Sequence, residues 1–405
     1  MNKLFILLVF SVGINATAQI ATSSTTNSGA TASAIGLQTT ASGVASTAMG
    51  RETEASGDYS TTLGYLTDAV GGTSIAMGRE TEASGTYSTA IGYLTDAVGG
   101  TSIAMGRQTL ANALYSTAMG YLTTASGEAS TAMGYQTTAS GDYSTALGYL
   151  TVANGGSTLA MGRSTSATEL YATAMGHETT ASGNSSTATG YKTTASGASS
   201  LAMGKETTAS GESSSSMGYQ TTASGDYSTA LGYLTVANGG STLAMGRSTS
   251  ATELYATAMG HETTASGNSS TATGYKTTAS GASSLAMGKE TTAGGDNSIA
   301  MGYLTSASGG SSIAMGRSSS ASELYATAMG HETSASGNSS TATGYQTTAS
   351  GSASTVMGKG TIASDYGSLV IGTYNLSGST VTVDATLPNI GNTAFVIGNG
   401  TNAVK

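Results

Sequence analysis

The chain has 405 residues, of which 58 are Gly, one is Pro and none is Cys or Trp, and its formal net charge is −9 at pH 7. Its three Phe (Phe5, Phe10 and Phe395) lie near the two ends, so the large side chains that normally supply core burial are scarce. This excludes a conventional large-cored enzyme; the acidic balance disfavours nucleic acid and anionic lipid, and the absence of Cys removes disulfides and thiol-ligated zinc.

Residues 1–18 read as a secretory signal peptide. Lys3 supplies the positive start, Leu4 to Phe10 an apolar run too short to span a membrane, and Ala16-Thr17-Ala18 a small-x-small cleavage site before Gln19. Residues 19–33 are expected to be an N-terminal cap, rich in Ser and Thr. After the signal peptide the sequence shows no further apolar stretch of membrane-spanning length.

From Gly36 through Gly50 and Gly64 to Gly372, every fourteenth position is Gly without a miss. Residues 141–209 recur identically as 225–293, six periods further on, so the array lengthens in whole coils. A short fixed period predicts a solenoid whose units bury surface by stacking on each other. A unit of this length is too short for two helices and a turn, but it suits two short strands and two turns. In one coil, Ser46, Ala48 and Gly50 alternate with Thr47 and Met49, and then Thr53, Ala55 and Gly57 alternate with Glu52, Glu54 and Ser56. Successive strand side chains point to opposite faces, so both strands of a coil have one face of small residues. Those residues are expected to fill the narrow interior, with Gly also permitting the turns.

The position before the register Gly is Met in 16 of the 25 coils, Ile or Leu in six and Thr in three. It includes Met49, Leu63, Met77, Ile91, Met105, Met119 and Met133, and the exceptions Thr189, Thr273 and Thr343. A bland alternative makes this row the solenoid's own core. The reading preferred here puts it outside, where an uncovered apolar stripe would aggregate and closed symmetry among three chains would bury it. The three Thr would then form polar layers on the axis, fixing register or holding water or an anion.

The pattern Ser-x-Ala-x-Gly followed by x-x-Thr-x-Ala-x-Gly at period 14, from about Thr31 to Gly372, resembles the YadA-like head repeats of trimeric autotransporter adhesins. The resemblance implies an all-β, left-handed parallel β-roll solenoid of about 25 coils over residues 34–372, assembled as a homotrimer. Residues 373–405 would be an insertion and the start of the junction between head and neck. Phe395 to Thr401 resembles the end of such a head, and Gly398 follows Gly372 by one period and an insertion. The sequence departs from the family pattern in showing no heptad stalk and no membrane anchor.

The residue after the register Gly is Tyr in 11 coils, and all six Arg and all three His share that slot. A second Tyr column, on the other side of the register Gly, includes Tyr59, Tyr171, Tyr255 and Tyr325. Tyr and Arg are enriched at binding hot spots, so Tyr65, Arg79, Tyr93, Arg107, Tyr171, Tyr255 and Tyr325 form the candidate ligand surface. The alternative is that these side chains stack on the neighbouring coil or chain. Each His precedes a Glu (His177, His261 and His331), yet adjacent residues on a strand are expected to point apart, so no metal site is assigned. Coils with Leu114-Tyr115, Leu170-Tyr171, Leu254-Tyr255 and Leu324-Tyr325 lack the second-strand Gly, which alters a turn and offers a recess for a partner. No catalytic constellation and no cofactor motif is present.

These features predict a non-enzymatic adhesin head, exported to the cell surface or beyond, that attaches to host matrix, cells or surfaces through an extracellular protein or glycan. The alternatives are a phage or secreted fibre on the same roll and, further off, an ice-binding protein.

Overall fold

A computed structural model of the chain describes residues 23–375, 385–387 and 391–399. The signal-peptide reading of residues 1–18 and the first four positions of the predicted cap lie outside the described residues, as do 376–384 within the predicted insertion. The chain divides into two compact units, residues 1–136 and 137–405. Each is a parallel β-solenoid, and there is no helix among the described residues.

The first unit shows how a coil is built. Strand Thr47–Arg51 pairs in parallel with Thr61–Ala69 of the next coil, with Met49 opposite Leu63 and Gly50 opposite Gly64. Every ladder therefore joins residues one period apart. Thr47 N–H donates to the Ser60 carbonyl at 2.9 Å, and Thr40 N–H to that of Thr53 at 2.8 Å. Pairing begins at Ser23, which bridges Leu37, and Thr26–Asn27 pairs with Thr40–Ala41, so the described part of the predicted cap already belongs to a coil. The second unit has ladders of the same kind, among them that from Thr355–Lys359 to Leu369–Thr373. The strand Phe395–Asn399 then pairs on the latter with Gly372 opposite Gly398, so the longer gap between these two glycines keeps the register.

The interior is as the alternation requires. Ala48 and Ala55 are fully buried, Ser46 and Thr53 nearly so, and the same holds coil after coil. Among the described residues, Val356 and Val370 are the larger apolar side chains fully buried inside, and Val396 packs against the core partly buried. With so small an interior, stability comes from the ladder and from close packing between coils.

The turns differ from the sequence expectation. Two residues per coil occupy the left-handed region, and they are seldom Gly: Glu52 at φ 54°, Tyr59 at φ 59°, Leu66 at φ 51°. The N–H of such corner residues donates to the preceding coil: that of Glu52 to the Leu37 carbonyl at 2.8 Å and that of Tyr59 to the Val44 carbonyl at 2.7 Å. The stacked neighbour therefore holds a conformation that side chains ordinarily avoid. Gly57 serves another purpose: a Cβ there would run into the carbonyl of Gly71 one coil on. The register glycine combines both constraints, since Gly50 has φ 133° and a Cβ on it would meet the carbonyl oxygen of Gly64.

Candidate functional site

The outer positions fall into four rows, two on strand faces and two at the corners. The first is the row before the register Gly. In the first unit Met49 is 39% and Leu63 41% exposed, Met133 is similarly open, and Met77, Ile91, Met105 and Met119 are half-buried. In this single chain the row therefore lies outside the coil, not in its core. Ile75 and Ile103, two residues before Met77 and Met105, are exposed on the same face. In the second unit Thr189, Thr273 and Thr343 hold this position between Met neighbours, Thr189 being opposite Met175 and Met203.

The second row is the outward face of the other strand. Glu54, Asp68, Glu82 and Asp96 are register neighbours in four successive coils, followed by Leu110. Burial raises the pKa of Asp68, and the charges of Glu54 and Glu82 raise it further. Asp96 is raised by burial and by Glu82.

The third row, after the register Gly, carries runs of stacked rings and cations within each unit. The Arg51 and Arg79 guanidinium carbons lie 5.3 and 5.8 Å from the Tyr65 ring centroid, and Arg79 and Arg107 lie 5.3 and 5.7 Å from that of Tyr93. Such cation–π contacts contribute about 0.5–1 kcal/mol each at exposed sites. Candidate residues Tyr65, Arg79, Tyr93 and Arg107 therefore pack on one another, coil upon coil. In the second unit Tyr219 stacks on Tyr233 at 5.0 Å, and His177 on Tyr191 at 5.1 Å with rings 7° apart. Beside it, the charges of Tyr191 and Glu178 raise the pKa of the exposed Lys192 ammonium.

The expectation that each His and the following Glu point apart fails. Glu178 sits in a left-handed corner (φ 52°), which turns its carboxylate back to 3.4 Å from His177 Nδ1. The pairs His261–Glu262 and His331–Glu332 repeat this at 3.5 and 3.7 Å. Among the described residues no three metal-ligating side chains converge.

The fourth row is the opposite corner. Candidates Tyr171, Tyr255 and Tyr325 are 63–64% exposed, with Tyr59 equally open. The residue before each corner Tyr tracks along the stack. Where it is Asp58, its carboxylate accepts the Val44 N–H of the preceding coil at 2.8 Å. Where it is Leu114, Leu170, Leu254 or Leu324, the preceding coil has Gly100, Gly156, Gly240 or Gly310 under the Leu methyls. The predicted recess is thus occupied by leucine. Sequence reasoning missed this pairing, although the second Gly of a Gly-Gly pair, one period before each of these Leu residues, signals it.

Cations are confined to one of the two corners. The corner after the register Gly carries every Arg and Lys among the described residues, while the Tyr59 corner carries Asp58, Glu128, Asp142, Glu169 and their equivalents and no cation.

A comparison with curated protein sequences gives no match. The family model described as "YadA head domain repeat (2 copies)" matches in successive stretches from residues 28–53 to residues 349–375, spanning nearly all the described coils of both units. The coil geometry and this match agree on period and extent, and the chain belongs to the YadA head repeat family.

Proposed function

We propose that the protein is a non-enzymatic adhesin head that works as a homotrimer at the cell surface or in the extracellular space. One observation carries the reading: a row of Met, Leu and Ile, Met49 and Leu63 among them, lies half-exposed on the outside of coil after coil in a chain from an adhesin-type family. Left in water, a row this long is an aggregation liability, and a closed assembly of identical chains would cover it. Three narrow rolls joined along these rows would bury Met49, Leu63, Met77, Ile91, Met105, Met119 and Met133, with Thr189, Thr273 and Thr343 as polar layers. The corner rows would remain outward for contacts that are weak singly and strong together.

Sedimentation of the chain from residue 19 tests this. The expected species has three times the monomer mass, and replacing Met77, Met105 and Met119 by Asp should yield a monomer. A wild-type monomer, soluble and with a native β spectrum, overturns the assembly.

A further inference from the structure

We propose that Arg163, Arg247 and Arg317, each with the serine that follows and the histidine opposite it in the next coil, are three copies of a site for the carboxylate or sulfate groups of an acidic polysaccharide. The inference deepens the adhesive reading, on which it rests, by naming a ligand class.

Of the six arginines of the stacked row, Arg107 is followed by Gln108 and lies between Tyr93 and Tyr121, 5.7 and 5.3 Å from their ring centroids; the other five are of two kinds. Arg51 and Arg79 are followed by Glu, and their Nε–H groups donate to Glu52 and Glu80 at 2.9 and 2.8 Å. Arg163, Arg247 and Arg317 are followed by Ser164, Ser248 and Ser318, and among the described residues none of the three has a carboxylate within ion-pair distance. All three are exposed. Each lies beside one ring, 5.6 Å from Tyr149, 5.6 Å from Tyr233 and 5.8 Å from Tyr303. A guanidinium has five N–H donors, and stacking on a ring face uses none of them.

The next coil adds a second donor. His177, His261 and His331 are the register partners of these arginines. Each ring is held flat on a Tyr, at 5.1, 5.2 and 5.0 Å, and each Nδ1 is buried toward its Glu. Nε2 is the polar atom left to meet a ligand. A guanidinium, a hydroxyl and an imidazole on one edge make a small anion cradle.

The third copy has diverged in its surroundings, with Ser319, Ser322, Ser334 and Gln346 where the first has Thr165, Thr168, Thr180 and Lys192. It keeps Arg-Ser, His-Glu and the flanking Tyr. Within the second unit the first and second copies are six coils apart, and the second and third five. At one ladder spacing per coil that is roughly 29 and 24 Å. Sparse cations on an otherwise acidic chain suit a polymer with spaced charges and sugar faces for the tyrosines. They do not suit a dense polyphosphate, which calls for a continuous basic stripe. A polymer spanning the copies would gain by effective concentration.

The test measures binding of the chain from residue 19 to immobilised polygalacturonate, dextran sulfate and neutral dextran. Retention is expected on one or both acidic polymers and not on dextran, the two arms separating carboxylate from sulfate. R163Q/R247Q/R317Q should weaken it by about tenfold or more, while R51Q/K205Q/K289Q, which removes as many cations from the same row but ones already paired with Glu52, Glu206 and Glu290, should change it less than about twofold. No retention on either acidic polymer, equal loss in the two variants, or tighter binding to duplex DNA overturns the proposal. Attachment to matrix-coated surfaces and sedimentation of the same variants keep the two readings apart: full attachment as a trimer without polyanion binding defeats this site alone.

Discussion

Leu170 lies directly over Gly156 of the preceding coil, its Cδ2 3.0 Å from where a Cβ on that glycine would stand. One residue earlier, a Cβ on Gly155 would meet the Glu169 carbonyl instead. Neighbouring glycines are thus required for different reasons, a mobile methyl in one case and backbone in the other. Gly156→Ala should cost less than about 1 kcal/mol, because Leu170 can swing away, whereas Gly155→Ala should cost about 1–3 kcal/mol or more through a forced backbone shift. Urea unfolding followed by circular dichroism, with hydrogen exchange around residues 150–175, would rank the pair; equal costs would contradict this account.

The buried hydroxyls allow a gain in stability. Thr67 is fully buried, and its Oγ1 has no hydrogen-bond partner. A buried group of this kind costs about 1–3 kcal/mol. Thr67→Val keeps the shape and removes the polar atom, so the unfolding midpoint should rise. A fall would mean that the hydroxyl has a partner such as water.

Inside and outside rows should respond oppositely to size. Ala76 is fully buried and its neighbour Met77 only half-buried. Ala76→Leu has no room and should disrupt the coil by about 1–3 kcal/mol or more, whereas Met77→Leu should stay within about 1.5 kcal/mol. Exchange protection of the flanking coils reads both.

The acidic row gives the first unit a pH signature. Asp68 and Asp96 have raised pKa values, so the folded chain holds their protons more tightly than the unfolded chain does. This contribution is fully present below the ordinary carboxylate value of 3.8 and is lost as pH rises through the raised folded value. Asp68→Asn should therefore stabilise the first unit at pH 7 by about 0.2–1 kcal/mol, toward the low end because the side chain is largely exposed. The gain should vanish near pH 3, and a gain of the same size at both pH values would exclude the charge mechanism.

Much of this fold is legible in the sequence because a short exact repeat imposes the same environment at every turn. The alternation of Ala48 and Met49 separates two faces, the narrowness of so short a coil favours the small one as the inside, and the unbroken register Gly marks the closest approach between coils. The corners were not legible, because Glu52 and Tyr59 adopt a backbone that propensity reserves for Gly and that the stacked coil enforces. The difference between the two Tyr columns escaped for a related reason. Whether Tyr65 is sandwiched and Tyr59 left open depends on what stands one period away on each side, and the identity of the residue itself does not reveal it.

The coil-to-coil ladder also determines how each unit would carry load. Strands run across the stacking direction and each coil is fastened only to its neighbours, so tension along the stack opens one ladder at a time, as a zipper does. Each coil that lets go releases up to roughly 48 Å of slack, which an optical trap would record as steps of near-constant length. Anchorage made through such a chain would yield by instalments under drag, and re-wind when the pull eases.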